Sequence, residues 1–221
     1  MMSLKRGILG KGNIGGNLNM GFLSVLSFAH KLVSERLQSG DIAVDATIGT
    51  GADTLFLAKA TGPKGHVFGF DIQEEAITLT QQRLDQSSTS SLSPVTLFLQ
   101  SHVDMREALP LDYHGKLAAI MFNLGYLPSS ASNKEIITMT DSTITALQAG
   151  LELLRPGGII SAVLYPGHPG GDSESEAVKR WATNIPQFFA QSIIYQQLQR
   201  SDAPYTIAVE KKTLTKLLAK G

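Results

Sequence analysis

Asp45-Ala46-Thr47-Ile48-Gly49-Thr50-Gly51-Ala52-Asp53-Thr54 decides how this sequence reads. It takes up the end of a short apolar run, Ile42–Thr47, and opens a helical pattern over Ala52–Ala60. Glycines at a strand-to-helix bend make the tight turn and let the backbone come close to a ligand. A further acid, Asp71, ends the next apolar run, His66–Asp71, 20 residues after Gly51. From that place a carboxylate reaches ribose hydroxyls. Ribose is common to NAD and S-adenosylmethionine, so Asp71 alone leaves both open. Asp45 separates them. A dinucleotide seats its pyrophosphate at this bend, where a carboxylate 4 Å away would repel it by about 1–4 kcal/mol. S-adenosylmethionine brings a sulfonium and an ammonium, both positive, and Asp45 favours them. Thr54 stands where the third glycine of GxGxxG belongs, and no Walker lysine follows, which disfavours a nucleoside triphosphate.

Outward from this stretch, strands alternate with helices. A helical face precedes it, carrying Phe22, Val25, Leu26, Ala29, Leu32, Val33 and Leu37. After it come a strand over His66–Asp71, a helix over Glu74–Asp85, and strands over Val95–Gln100 and Leu117–Asn123. A longer helix lies within 134–154, with Thr140 or Asp141 as its cap. Arg155-Pro156-Gly157-Gly158 reads as a turn before a strand over Ile159–Leu164. Ser173 and Glu176 have capping-box spacing and predict a helix running to about Ala182. Two strands close the chain, Ile193–Leu198 and Tyr205–Lys211, with a loop short enough for an antiparallel pair. The expected fold is α/β: a Rossmann-like, seven-stranded, mostly parallel sheet with a C-terminal antiparallel hairpin and helices on both faces. Dehydrogenases and flavodoxin-like proteins share the alternation, so the site must choose.

The 221 residues fit one large domain. Residues 1–21, rich in Gly and Asn, read as an irregular arm, and 22–221 as a single domain. With 43% hydrophobic and 17% charged residues, the chain is not of the disordered class. No apolar run is long enough for a transmembrane helix, and residues 1–20 lack the apolar core of a secretory leader. No cysteine is present, which excludes disulfides, thiolate metal sites and a cysteine nucleophile, and fits a cytoplasmic protein. Net charge is zero but uneven: residues 1–40 hold five Lys/Arg against one acid, and residues 41–130 five against ten. The basic end reads either as a solubilising tail or as a contact for a polyanion.

DATIGTGADT resembles the first motif of class I S-adenosylmethionine-dependent methyltransferases. Ser101-His102, Asn123-Leu124-Gly125-Tyr126-Leu127-Pro128 and Tyr165-Pro166-Gly167-His168-Pro169-Gly170-Gly171 narrow the likeness. With the first motif they resemble the bacterial rRNA methylase family, over about residues 22–212. Members of that family have been assigned to the tRNA wobble uridine, where they methylate the amine of 5-aminomethyl(-2-thio)uridine. The resemblance implies S-adenosyl-L-methionine as cofactor and RNA, tRNA foremost, as partner, with no membrane; a homodimer stays open. An rRNA or small-molecule N/O-methyltransferase is the alternative on the same fold.

The residues divide accordingly. Asp45, Thr47, Gly49, Gly51, Asp53, Thr54 and Asp71 are expected to hold the cofactor. His102, Asp104 and Asn123 join them at the ends of the third and fourth strands. Asn123, Tyr126 and His102 are the catalytic candidates, and Tyr126, Lys134 and His168 the substrate contacts. The segment at Asn123 is similar to the N/D-P-P-Y motif of amino methyltransferases, with Leu124 and Gly125 in place of the prolines. Such a site grips an exocyclic amine while Tyr126 stacks on a base. His30 lies among the apolar positions of the first helix and reads as packing. No histidine/carboxylate cluster has metal spacing. Methylation at C5 of a pyrimidine generally needs a cysteine adduct, so nitrogen or oxygen remains as acceptor.

Overall fold

The computed structural model describes residues 21–87, 89–125, 140–167, 170–200 and 202–213. Seven strands form one sheet: β1 (Ile42–Asp45), β2 (His66–Asp71), β3 (Val95–Leu99), β4 (Leu117–Leu124), β5 (Leu154–Leu164), β6 (Ala190–Tyr195) and β7 (Tyr205–Lys211). Their order is β3-β2-β1-β4-β5-β7-β6. The first five run parallel, and β7 lies antiparallel to both β5 and β6. Parallel strands covered on both faces read as near-continuous apolar runs. β4 is such a run at the centre, buried along its length except at Asn123. The sequence direction reverses beside β1, and such a reversal opens a crevice at the strands' carboxyl ends.

Six helices cover the faces: α1 (Val25–Ser34), α2 (Ala52–Thr61), α3 (Glu74–Asp85), the single turn α4 (Met105–Ala108), α5 (Thr140–Leu153) and α6 (Gly171–Asn184). Ala29, Val33, Leu57 and Leu84, from α1, α2 and α3, share one core with Ala43, Val67 and Ala119. Met105, Leu147 and Val178, from α4, α5 and α6, share the other with Val44, Ile120 and Phe122. The expected fold class is therefore the observed one. Among the described residues, no helix is long and apolar enough to cross a membrane.

Four boundaries differ from expectation, each for a local reason. α1 starts after Ser24, whose hydroxyl accepts the Ser27 N–H, so Phe22 lies outside the helix, 98% exposed. Arg155–Gly158 is a bulge inside β5 rather than a turn before it. Leu154 pairs with Leu117 and Ile159 with Ala119, so four residues of β5, 155–158, stand opposite Ala118 alone. Gly157 takes φ +75° there. α6 is capped by Gly170 at φ +85°, and Ser173 lies within the helix, its hydroxyl donating to the Gly170 carbonyl. β6 begins at Ala190, three residues early, because it is an edge strand whose register follows its pairing with β7.

Candidate active site

Because β1, β2, β3, β4 and β5 run parallel, their carboxyl ends share one edge. Asp45, Asp71 and Asn123 all lie there. The bend between β1 and α2 is tied together by carboxylates. Asp45 Oδ1 accepts the Thr47 N–H at 3.2 Å, and Oδ2 accepts the Thr54 hydroxyl at 2.6 Å. Asp71 Oδ2 accepts the Gly49 N–H at 3.0 Å, and Oδ1 accepts the Gln73 N–H at 2.9 Å. Gly49 and Gly51 take φ +53° and +74°, where a side chain would be strained. A Cβ at Gly51 would also stand 2.9 Å from the Thr80 Cα.

The same bend is joined to β4. Thr47 Oγ1 accepts the Asn123 backbone N–H at 2.6 Å. The Asn123 side chain lies beside Tyr165, which follows β5. A Cβ on Gly125 would lie 3.2 Å from the Tyr165 ring, so the ring closes over that backbone. Burial, and next the charge of Asp53, push the Tyr165 phenol up, against the Asn123 side chain.

Electrostatics set the character of the crevice. Asp45 is fully buried. Burial first, then the charge of Asp53, raise its carboxyl to about 7, while hydrogen bonds from Thr54 and Thr47 oppose the rise and Asp71 adds to it. Asp53, in the first turn of α2, is buried too; its Oδ1 stands 2.6 Å from His30 Nε2. The His30 ring stacks on Phe56 at 4.0 Å and 1°.

His102 is also buried, in a single 3₁₀ turn after β3, edge-on to the Phe122 ring. Burial holds its imidazole below the ordinary value, against a hydrogen bond to the Ala46 backbone and the nearby Asp104. Its Nε2 is buried without a hydrogen-bond partner. Asp104 is exposed beside it.

Asp45, Thr47, Gly49, Gly51, Asp53, Thr54, Asp71 and Asn123 are thus brought together at one edge of the sheet. His102 is a buried ring joined to the backbone at Ala46. Tyr126, Lys134 and His168 lie outside the described residues, as does the Gly/Asn arm up to residue 20. Two side chains of the site were not expected. His30, assigned to packing, pairs with Asp53 from 23 residues away, and no local pattern marks that partner. Tyr165 heads a glycine-rich motif after β5, and an aromatic at that edge was a signal available in the sequence.

A family profile described as "Putative rRNA methylase" matches residues 67–211, more than half of the chain. This chain belongs to the rRNA methylase family. The tRNA (mnm(5)s(2)U34)-methyltransferase, chloroplastic, of Arabidopsis thaliana is 39% identical over 190 residues, covering 83% of this family member and 68% of that protein. A crystal structure described as a "putative rRNA-methylase" from Clostridium thermocellum superposes with TM-score 0.79 at 34% identity, over 87% of this chain and all of that one. A "putative methyltransferase" from Streptococcus mutans, solved in complex with SAH, gives TM-score 0.75 at 31% identity, over 86% and 99%.

The residues of this rRNA methylase family member fit S-adenosylmethionine better than a dinucleotide. The Gly49 N–H, a donor that a pyrophosphate would need, is already taken by Asp71. Asp45, Asp53 and Asp71 surround the bend, and Asp45 is held above the ordinary carboxylate range partly by the other two. A cationic ligand relieves that repulsion and a phosphate worsens it. Among the described residues, the buried His102 Nε2 has no hydrogen-bond partner.

Proposed function

We propose that this protein is an S-adenosylmethionine-dependent RNA N-methyltransferase that methylates the amine of 5-aminomethyl(-2-thio)uridine at the tRNA wobble position. The observation that carries the cofactor half is the buried Asp45 beside Asp53 and Asp71, a crevice that favours positive charge. Support for the acceptor half comes from the 39% identity to a tRNA (mnm(5)s(2)U34)-methyltransferase.

In this reading Asp45, Thr47, Gly49, Gly51 and Thr54 hold the methionine end of the cofactor, and Asp71 holds the ribose. Ile72 and Leu99, exposed beside the ends of β2 and β3, offer apolar surface to the adenine, with His102 and Asp104 at its edge. When bound, S-adenosylmethionine would supply a methyl group on a sulfonium: the neutral acceptor nitrogen would bond to that carbon, the sulfur would keep the electron pair of the broken carbon–sulfur bond, and the proton released by the nitrogen would pass to solvent.

This chain's work is to orient and dry the acceptor. Asn123 is held by Thr47 through its backbone N–H, and its side chain, beside Tyr165, is the partner for the amine. The Tyr165 ring, closed over Gly125, keeps water from the end of β4. The absence of cysteine removes the adduct route to C5, which leaves nitrogen or oxygen as acceptor, and the exocyclic amine is the nitrogen of this reading.

The test is methyl transfer from labelled S-adenosylmethionine to tRNA carrying the unmethylated aminomethyl group, followed by nucleoside mass analysis. Label in 5-methylaminomethyl(-2-thio)uridine is the expected result. Label in rRNA, or in small amines but not in tRNA, would replace this reading with the alternative acceptor.

A further inference from the structure

The three acids at the bend are not equivalent. Both oxygens of Asp45 accept hydrogen bonds, from Thr47 and Thr54. Both oxygens of Asp71 do as well, from Gly49 and Gln73. These two carboxylates build the loop. Asp53 has only one oxygen engaged: Oδ1 meets His30 Nε2 at 2.6 Å, and among the described residues Oδ2 makes no hydrogen bond. Its side chain is nearly buried but keeps 10% of its surface exposed.

The surroundings of Asp53 point to the acceptor side of the crevice. Asp53 lies close enough to Tyr165 for its charge to act on that phenol, and Tyr165 lies beside Asn123 near the end of β4. His30 arrives from α1, outside the strand-to-helix bend, and is held flat against Phe56 on the same helix as Asp53. A histidine clamped by a stacked ring and a 2.6 Å contact fixes the rotamer of the carboxylate it touches.

We propose that Asp53 is the docking carboxylate for the acceptor's ammonium group, and that His30 is the positioning residue that holds it. This rests on the aminomethyluridine reading, because a primary amine is largely protonated near neutral pH while a uridine without it brings no cation. Asp53 then selects aminomethylated over unmodified tRNA before the amine turns neutral for attack. A purely structural pair would only fasten α1 to α2.

The test compares wild type, Asp53→Asn and His30→Gln. Calorimetry with S-adenosylhomocysteine is expected to give an affinity within about twofold of wild type in His30→Gln, and a loss of at most about threefold in Asp53→Asn, the share that its charge adds to the crevice. Steady-state kinetics on aminomethylated tRNA are expected to show KM raised about tenfold or more in Asp53→Asn, and less in His30→Gln. A tenfold loss of S-adenosylhomocysteine affinity in Asp53→Asn overturns the proposal by moving Asp53 to the cofactor. Unchanged KM in Asp53→Asn overturns it as well. If wild type methylates no such tRNA, the wobble-uridine reading falls, and the docking role is decided by NMR. With S-adenosylhomocysteine present, the His30 ring resonance is then followed against 5-aminomethyluridine and against uridine. A shift with the amine alone, abolished in Asp53→Asn, supports the assignment; an equal response to both, or none, overturns it.

Discussion

Thr47 Oγ1 accepts the backbone N–H of Asn123 at 2.6 Å, joining the bend after β1 to the end of β4 across 76 residues of sequence. One hydroxyl therefore couples the glycine bend to the end of β4. Thr47→Val keeps the shape and removes the acceptor, leaving the Asn123 N–H unsatisfied at a cost of about 1–3 kcal/mol. The expected outcome is a lower melting temperature, together with a fall in kcat larger than the fall in S-adenosylhomocysteine affinity. Thermal denaturation, calorimetry and turnover on one preparation check it.

Asp45 makes stability depend on pH. Its folded pKa, about 7, lies above that of an unfolded aspartate, so the native state binds this proton more tightly. The stability it contributes is fully present below about pH 4 and is lost as the pH rises to about 7. Ligand-free Asp45→Asn is expected to lose less stability between pH 5 and pH 8 than wild type, by roughly 2–3 kcal/mol. Urea unfolding at the two pH values measures the difference. A cationic ligand favours the ionised carboxylate, so S-adenosylhomocysteine, which keeps its ammonium, binds wild type more tightly at pH 8 than at pH 6. That gain is expected to vanish in Asp45→Asn.

Gly51→Ala tests the bend itself. The residue takes φ +74°, and the added Cβ would stand 2.5 Å from Thr80 Oγ1 and 2.9 Å from Thr80 Cα. Strain and collision together are expected to cost on the order of 2–4 kcal/mol. Because one of the blocking atoms is backbone, adding Thr80→Ala should restore little of the stability. Recovery of the wild-type melting temperature in the double variant would refute this account of the glycine.

Asp71→Asn tests the ribose contact proposed for this carboxylate. The amide oxygen still accepts one N–H, but the charge and the second accepted bond are lost. S-adenosylhomocysteine affinity is expected to fall about tenfold to a hundredfold, equal to roughly 1.4–2.8 kcal/mol. Circular dichroism should show the fold unchanged. Calorimetry with full-affinity binding in the variant would remove Asp71 from the cofactor site.

Much of the fold was open to a reading of the chain alone. β4 is buried nearly throughout, and its apolar run, Leu117 to Asn123, announces a central parallel strand without any knowledge of its neighbours. The glycine bend and its acids were visible for a similar reason, since Asp45, Gly49, Gly51 and Asp71 lie at fixed offsets within one β/α/β unit. Where the reading slipped, a distant partner had set the outcome. Arg155–Gly158 has the composition of a turn, but pairing across β4 and β5 absorbs it as a bulge. β6 follows β7 rather than its own exposed residues.

The sequence by itself determined the order of strands and helices and the acidic glycine bend, because periodicity and turn chemistry act within a few residues of each other. Only the tertiary structure decided that His30 meets Asp53, that Tyr165 reaches Asn123, and that Asp53 alone of three carboxylates keeps an oxygen uncommitted. Those meetings depend on sheet order and on how α1 and α2 lie against it, and no spacing along the chain encodes them.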